Sequence, residues 1–194
     1  MKLALFPLPV FLLPGGVTRL RVFEQRYIRL VQESAGDVGF VIAPIKNLPA
    51  IESKAIDCHL NWGSWVKIID FATGADGLLE IDVQCEAMAR IYSFEVESDN
   101  LKRADVELYH HWQESIDVKQ VQLPINKLTQ QLQTVFKVNP ELSKIYPETK
   151  FDCSGWVCQR WLELLPLKQA EQNLFAQSGS LDRAAQFLSE IVFE

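Results

Sequence analysis

The hydrophobic pattern has two regimes. Up to about residue 112, apolar residues come in short runs or alternate with polar ones, the period-two signature of buried and half-buried strands. Beyond Ile116 to Leu123 they recur every three or four residues, the signature of amphipathic helices. The first regime opens on an apolar run carrying Pro7, Pro9 and Pro14. Proline gives no N–H to a ladder, so this run is predicted as an edge strand or the start of a strand. Pro14-Gly15-Gly16 reads as a type II turn, with proline presetting φ at the second position and glycine accepting positive φ at the third. Leu20 and Val22 alternate with Arg19 and Arg21, a strand with one buried face. The period then lengthens: Phe23, Tyr27, Ile28, Leu30 and Val31 share a helical stripe, and Gly36 stands where a helix would end.

The strands resume at Gly39 to Ala43, a short apolar run. Residues 44–54 carry two prolines and read as a loop. Trp65, Lys67 and Ile69 alternate with Val66, Ile68 and Asp70. Asp76-Gly77 between apolar runs is a hairpin signal. Leu79, Ile81 and Val83 alternate with Glu80, Asp82 and Gln84. Ile91 to Val96 and Ala104 to Tyr109 add two strands around a polar turn at Glu97 to Arg103. Turn spacing gives roughly six short strands and one helix, and strands of this kind commonly close on themselves to hide their edges.

In the second regime Ile125, Leu128, Leu132, Val135 and Phe136 form one helical stripe, ended by Asn139-Pro140 because a residue before proline avoids the α region. Tyr146-Pro147 marks another break. Trp156, Val157, Trp161, Leu164 and Leu165 form a second stripe. Pro166 suits the first turn of a third helix, with Leu167, Ala170, Leu174 and Phe175 on its inner face. Ser178 to Ser180 stops that helix, and Ser180 is a candidate N-cap for a last one, with Asp182 in its first turn. Leu181, Ala184, Ala185, Leu188, Ile191 and Val192 fill the inner face. The predicted organisation is α+β: a β-barrel subdomain over residues 1–115 and a C-terminal helical subdomain of about four helices over residues 116–194.

Composition narrows the classes. The chain has 194 residues, 48% hydrophobic and 23% charged, which suits a packed globular protein rather than a disordered one. Its formal charge of −6 argues against general attraction to nucleic acid or anionic lipid. Pro7 and Pro9 interrupt the apolar start, and no small-x-small cleavage site follows before Arg19, so a signal peptide is not predicted. The run is also too short to span a membrane. Cys58, Cys85, Cys153 and Cys158 form no CxxC pair and no disulfide framework. A cytoplasmic protein with reduced thiols is the expectation.

The ordered series LFPLP, a short apolar run, PGG and LRVFEQRY resembles the opening of the Lon N-terminal domain family. Phe6, Pro7, Leu8, Pro9, Pro14, Gly15, Leu20, Val22, Phe23, Glu24, Arg26 and Tyr27 stand at matching positions; Gln25 and Thr18-Arg19 depart from the usual residues. Gly63, Val66, Ile68, Asp76, Gly77, Leu79, Ile81, Val83 and Ile91 continue the match, while Cys85-Glu86 and Met88-Ala89 depart from it. Leu165, Pro166, Leu167, Lys168, Gln172, Leu174, Leu181, Arg183 and Leu188 resemble the domain's tail. The resemblance spans nearly the whole chain and implies a PUA-like β-barrel followed by a helical bundle. It also implies a stand-alone module similar to the substrate-recognising part of Lon.

Reactive machinery is not in the sequence. No Walker A loop and no G-x-G-x-x-G occurs, and neither does a G-x-S-x-G elbow. The ATPase and serine–lysine peptidase modules of full Lon proteases have no counterpart in these 194 residues, so the resemblance implies neither proteolysis nor ATP hydrolysis. No catalytic residue, cofactor or metal is expected. Cys58-His59 with Cys153 and Cys158 would supply zinc ligands only if the two regions met, and scattered thiols mostly behave as small buried hydrophobes. His110 and His111, beside Trp112, read as a partly exposed strand terminus. Asp70, Asp76, Glu80 and Asp82 read as a solvated face.

Two surface resources remain. Arg19, Arg21, Arg26 and Arg29 form a candidate basic patch, and some PUA-like barrels bind RNA. The net negative charge and the lack of interleaved aromatics weigh against that alternative. Arg26 is also placed to pair with a neighbouring carboxylate and hold the helix. Trp62, Trp65, Phe71 and Trp112 are the candidate peptide- or partner-binding residues: those left exposed would form an apolar patch, and an open strand edge would accept a peptide as an added strand. The expected function is a non-catalytic binding module for polypeptide or protein partners. An RNA-binding module is the alternative, with a metal- or small-molecule-dependent enzyme behind it.

Overall fold

The computed structural model describes residues 1–44, 46, 61–112, 122–146, 148–177 and 181–192. The chain divides into two compact units, Met1–Tyr109 and His110–Glu194. The first is built from β1 (Lys2–Pro7), β2 (Val17–Val22), α1 (Gln25–Ser34), β3 (Phe40–Ala43), β4 (Trp62–Thr73), β5 (Leu79–Val96) and β6 (Lys102–Tyr109). The strands run in the order β2-β5-β4-β3-β1-β6, and β5 also meets β6, which closes a ring of β1, β3, β4, β5 and β6. Closure leaves those strands without a free edge along the ring. β1 pairs parallel to β3 and the remaining pairs are antiparallel.

β1 is an interior strand, not an edge strand. It lies between β3 and β6, and Leu3, Ala4, Leu5 and Phe6 are buried on both of its faces. The prolines do no harm there because Pro7 ends the strand and Pro9 and Pro14 follow it. Leu3, Leu5, Val41, Ala43, Ala89, Ile91, Ala104 and Val106 form one core cluster. Phe6, on the other face, packs against Tyr27 of α1 at 4.4 Å between ring centroids. The turn after β1 has the predicted chemistry: the Gly16 N–H donates to Leu13 O at 2.8 Å, and Gly15 has φ of 78°, as a type II turn requires.

Phe23 departs from the predicted stripe. It precedes α1 and is 66% exposed, while α1 buries Leu30, Val31 and Ser34. Arg29 of α1 meets Glu33, Glu97 and Asp99, and Arg103 meets Glu33 and Glu97, so α1 is held to the β5–β6 hairpin by charge. The two strands expected over residues 79–83 and 91–96 are one strand of 18 residues. β5 changes neighbour midway: residues 79–84 pair with β2 and residues 88–96 with β6. The atypical Cys85 to Ala89 segment is the middle of that strand, beside a register shift at Trp65/Val66.

The second unit holds five helices among the described residues, one more than the pattern suggested: α2 (Gln122–Val138), α3 (Pro140–Ile145), α4 (Ser154–Leu164), α5 (Gln169–Ala176) and α6 (Leu181–Val192). Pro140 starts α3 at its first turn, where its missing N–H costs nothing. Pro166 lies in the link before α5, whose N-cap is Lys168, rather than in the helix. Leu128, Leu132, Phe136, Trp156, Val157, Trp161, Phe175, Ala184, Ala185 and Leu188 make the core, whereas Leu164 and Ile191 are exposed. Phe136, Tyr146, Phe151 and Trp156 meet mostly edge to face, with centroids 5.3–5.9 Å apart. The predicted break at Tyr146 is present, since α3 ends at Ile145 and Tyr146 is extended; Pro147 and the Ser180 cap lie outside the described residues.

Candidate functional site

The four aromatic candidates have different fates. Trp62 is 2% exposed and meets Phe11 edge-on at 5.4 Å. It is buried on the face of β4 opposite Trp65, where the segment of Phe11 and Leu12 that follows β1 covers it, and it offers no surface. Trp65 is half-buried. Its Nε1–H donates to Val38 O at 3.1 Å, its ring leans on the core cluster, and Lys67 Nζ sits 5.4 Å from the ring centroid. Phe71 is 54% exposed. Trp112 belongs to the second unit, where its ring stacks on His111 at 4.7 Å.

Phe71 stands on a part of β4 that no described strand joins on one side. β3 pairs with β4 only at residues 64–66, whereas β5 runs alongside β4 as far as Thr73. Beyond the barrel, therefore, β4, β5 and β2 form a three-stranded extension. Among the described residues nothing pairs with the outer edge of residues 68–73. A bulge lies between Ile68 and Asp70, and Ile69, the extra residue, is 39% exposed.

The two faces of this extension are chemically distinct. In register, Phe71, Ile81 and Leu20 share one row, and Asp70, Asp82 and Arg19 share the next. Leu20 and Ile81 are buried while Phe71 at the edge is not. On the polar face Arg19 grips Asp82 with two hydrogen bonds, from Nε to Oδ1 at 2.7 Å and from Nη2 to Oδ2 at 2.8 Å. That pairing raises the Arg19 pKa above its ordinary value, so the guanidinium stays charged. Arg21 bonds Asp76 and approaches Glu80 at 3.8 Å. Asp70 lies directly across from Asp82, and its Oδ1 accepts the N–H of Phe71 at 2.8 Å.

The candidate basic patch is thus occupied by acid. Arg26 pairs with Glu24 at 2.6 Å, Arg29 with three carboxylates, and Arg19 and Arg21 with the carboxylates named above. These arginines serve strand pairing and helix placement, and they present no unmatched positive surface of the kind a phosphate backbone needs. Among the described residues no group of three or more His, Cys, Asp or Glu side chains is placed to hold a metal ion. Cys58-His59 lies outside those residues.

His110 is exposed just past the end of β6, as a strand terminus should be, but His111 departs from that expectation. His111 is buried: its Nε2–H donates to Phe175 O at 2.6 Å, and its Nδ1 accepts from Gln159 Nε2 at 3.0 Å. Burial pushes its pKa down to about 4. Arg160, fully buried nearby in α4, bonds Glu163 at 2.7 and 2.8 Å and faces the Trp156 ring at 5.4 Å. A helical stripe does not reveal such a polar core, because His111 comes from outside the helices and Gln159 and Arg160 look like ordinary outward positions.

The comparisons with known proteins agree with this architecture. The family described as the ATP-dependent protease La (LON) substrate-binding domain matches residues 2–186. The chain belongs to that family. Among solved structures, a Lon N-terminal domain protein from Xanthomonas campestris is similar at 26% identity and a TM-score of 0.66, over 97% of this chain and 96% of that one. The N-terminal domain of the Mycobacterium avium complex Lon protease is similar in fold at 13% identity and a TM-score of 0.64, over 100% and 99% of the two chains. Comparison with the curated proteins found no match. A substrate-binding domain is found here and a catalytic domain is not. Among the described residues no helix is long and apolar enough to cross a membrane.

Proposed function

We propose that this chain is a non-catalytic, cytoplasmic binding module that recognises unfolded or extended polypeptide, or a protein partner, through apolar surface on its first unit. Membership of a substrate-binding family supports the reading, and the observation that carries it is Phe71. A phenylalanine more than half exposed on a strand that outruns its neighbour is costly to keep in water, by about 25 cal/mol per Å² of apolar surface. It invites cover by another chain. Ile69, at the bulge two residues before it, is also exposed. The ion pairing of Arg19, Arg21, Arg26 and Arg29 removes the basic patch on which the RNA reading rested.

A binding isotherm with a permanently unfolded protein, such as reduced and carbamidomethylated lysozyme, tests the reading. Saturable binding at tens of micromolar or tighter is expected, with native lysozyme bound far more weakly. Folded protein that binds neither form would refute it.

A further inference from the structure

The hydrogen-bond pattern of the β4–β5 hairpin says which backbone groups of β4 face outward. The Gly74 N–H donates to Leu78 O at 2.8 Å, so residues 74 and 78 are a bonded pair. In an antiparallel ladder bonded and non-bonded pairs alternate. Counting back through the observed register, Ala72↔Glu80 and Asp70↔Asp82 are bonded pairs, and Thr73↔Leu79 and Phe71↔Ile81 are non-bonded. The N–H and C=O of Phe71 and Thr73 therefore point away from β5, to the side where no described strand lies. The bond from the Phe71 N–H to the Asp70 carboxylate fits this direction: the side chain holds the outward donor in the absence of a neighbour.

The charge around this edge has a sign. The polar face of the extension carries Asp70, Asp76, Glu80 and Asp82 against Arg19 and Arg21. Arg19 and Arg21 bond Asp82 and Asp76, so the Asp82 charge opposite Asp70 is already matched, while Asp70 itself makes no ion pair among the described residues. A cation arriving beside Asp70 would pair with it.

We propose that the outer edge of β4, residues 69–73, takes up an extended basic polypeptide segment as an added strand. The incoming backbone bonds the N–H and C=O of Phe71 and Thr73. A lysine or arginine of the segment meets the Asp70 carboxylate, which is released as the segment's carbonyl takes over the Phe71 N–H. An apolar side chain of the segment covers the exposed Phe71 ring. Main-chain bonds supply affinity that tolerates sequence, and the alternation of apolar and basic positions supplies preference. This inference rests on the polypeptide-binding reading above and gives it a place and a preferred chemistry.

The test uses the whole chain and two unfolded probes: reduced, carbamidomethylated lysozyme, which is basic, and reduced, carboxymethylated α-lactalbumin, which is acidic. The basic probe is expected to bind more tightly. Asp70→Lys and Phe71→Ala are each expected to weaken it by about tenfold, with unchanged far-ultraviolet circular dichroism. Asp70→Asn, which keeps the shape, is expected to lose part of the preference for the basic probe. Hydrogen exchange should slow at the Phe71 and Thr73 amides on saturation, and not at those of Asp70 and Ala72, which already face β5. If the parent protein binds neither probe, the polypeptide reading fails. If the parent binds but the variants bind equally well and the protection falls elsewhere, polypeptide capture stands and the β4 edge is not its place. Equal binding of both probes overturns the charge preference.

Discussion

Removing Arg19 asks whether its charge serves a ligand or the fold. Arg19 is the cross-strand partner of Asp82, and both of its hydrogen bonds to Asp82 are short. The Asp82 side chain is 9% exposed and the Arg19 side chain 46%. Exposed ion pairs contribute about 0.2–1 kcal/mol, whereas stripping the partner from a buried charge costs about 3–5 kcal/mol. This pair lies between those limits, since one member is nearly buried and the other wet. Arg19→Ala also leaves Asp82 facing Asp70 across the sheet with its charge unmatched. The expected loss is about 2 kcal/mol of folding stability. Arg21→Ala removes a more exposed pair to Asp76 and should cost less than about 1 kcal/mol. Urea unfolding at neutral pH reads both, and a double-mutant cycle with Asp82→Asn should return most of the Arg19 effect as coupling. An Arg19→Ala protein within about 0.5 kcal/mol of the parent that also lost retention on RNA would refute the structural assignment and restore the nucleic-acid reading.

Two further outcomes follow from single residues. His111 is held neutral in the fold, with its pKa lowered from 6.5 to about 4, so the unfolded chain binds its proton first. Its contribution is fully present above about pH 6.5 and is lost as pH falls toward 4, by about 3 kcal/mol at 1.36 kcal/mol per unit. The urea midpoint should therefore fall between pH 6.5 and 4.5, and the lowered Glu33 and Glu97 add their own loss only as pH nears the ordinary carboxylate value of 4.5, where the unfolded chain takes up protons that they do not. His111→Gln should flatten that part of the profile, and an unchanged slope would refute the assignment. Gly39 has φ of 65°, and a Cβ there would lie 2.4 Å from Val66 O and 2.7 Å from Trp65 Nε1. Gly39→Ala should cost about 2–4 kcal/mol by strain and displaced backbone, measured as a lowered unfolding midpoint; a loss below 1 kcal/mol would contradict the tight approach.

Much of the fold was legible because the pattern was enforced locally. The Pro14-Gly15 turn, the Asp76-Gly77 hairpin and the stripe from Leu128 to Phe136 each follow from two or three residues whose backbone preferences agree. Features set by long-range pairing were not legible. Nothing near Pro7 says that β1 will be flanked on both sides, because its partners β3 and β6 are far away in sequence. Residues 79–96 look like two strands because the burial pattern changes where β5 exchanges β2 for β6. The site was half visible: Phe71 was singled out as an aromatic, but Trp62 at the other end of β4 was too, and the two differ in what covers each end, with Phe11 against Trp62 and Phe71 beyond the reach of β3. The arginines were visible as a group, and Asp76, Glu80 and Asp82, the partners of Arg19 and Arg21, as a separate group. That Arg19 and Arg21 meet those carboxylates depends on the β2–β5 register, and that Arg29 meets Glu97 and Asp99 on where α1 packs, neither of which the sequence states.

The same register explains how an exposed edge is kept without self-association. An open strand is a template for other strands, and proteins blunt such edges with bulges and charges. β4 carries both devices within three residues, the bulge at Ile69 and the carboxylate of Asp70 on the Phe71 N–H. A second copy aligning antiparallel at this edge would bring its own Asp70 toward the first, so like charges would meet where cations are wanted. A basic segment meets no such repulsion. Negative charge at the edge thus disfavours pairing between copies of this chain and favours a foreign strand of opposite sign, and one residue, Asp70, carries both effects.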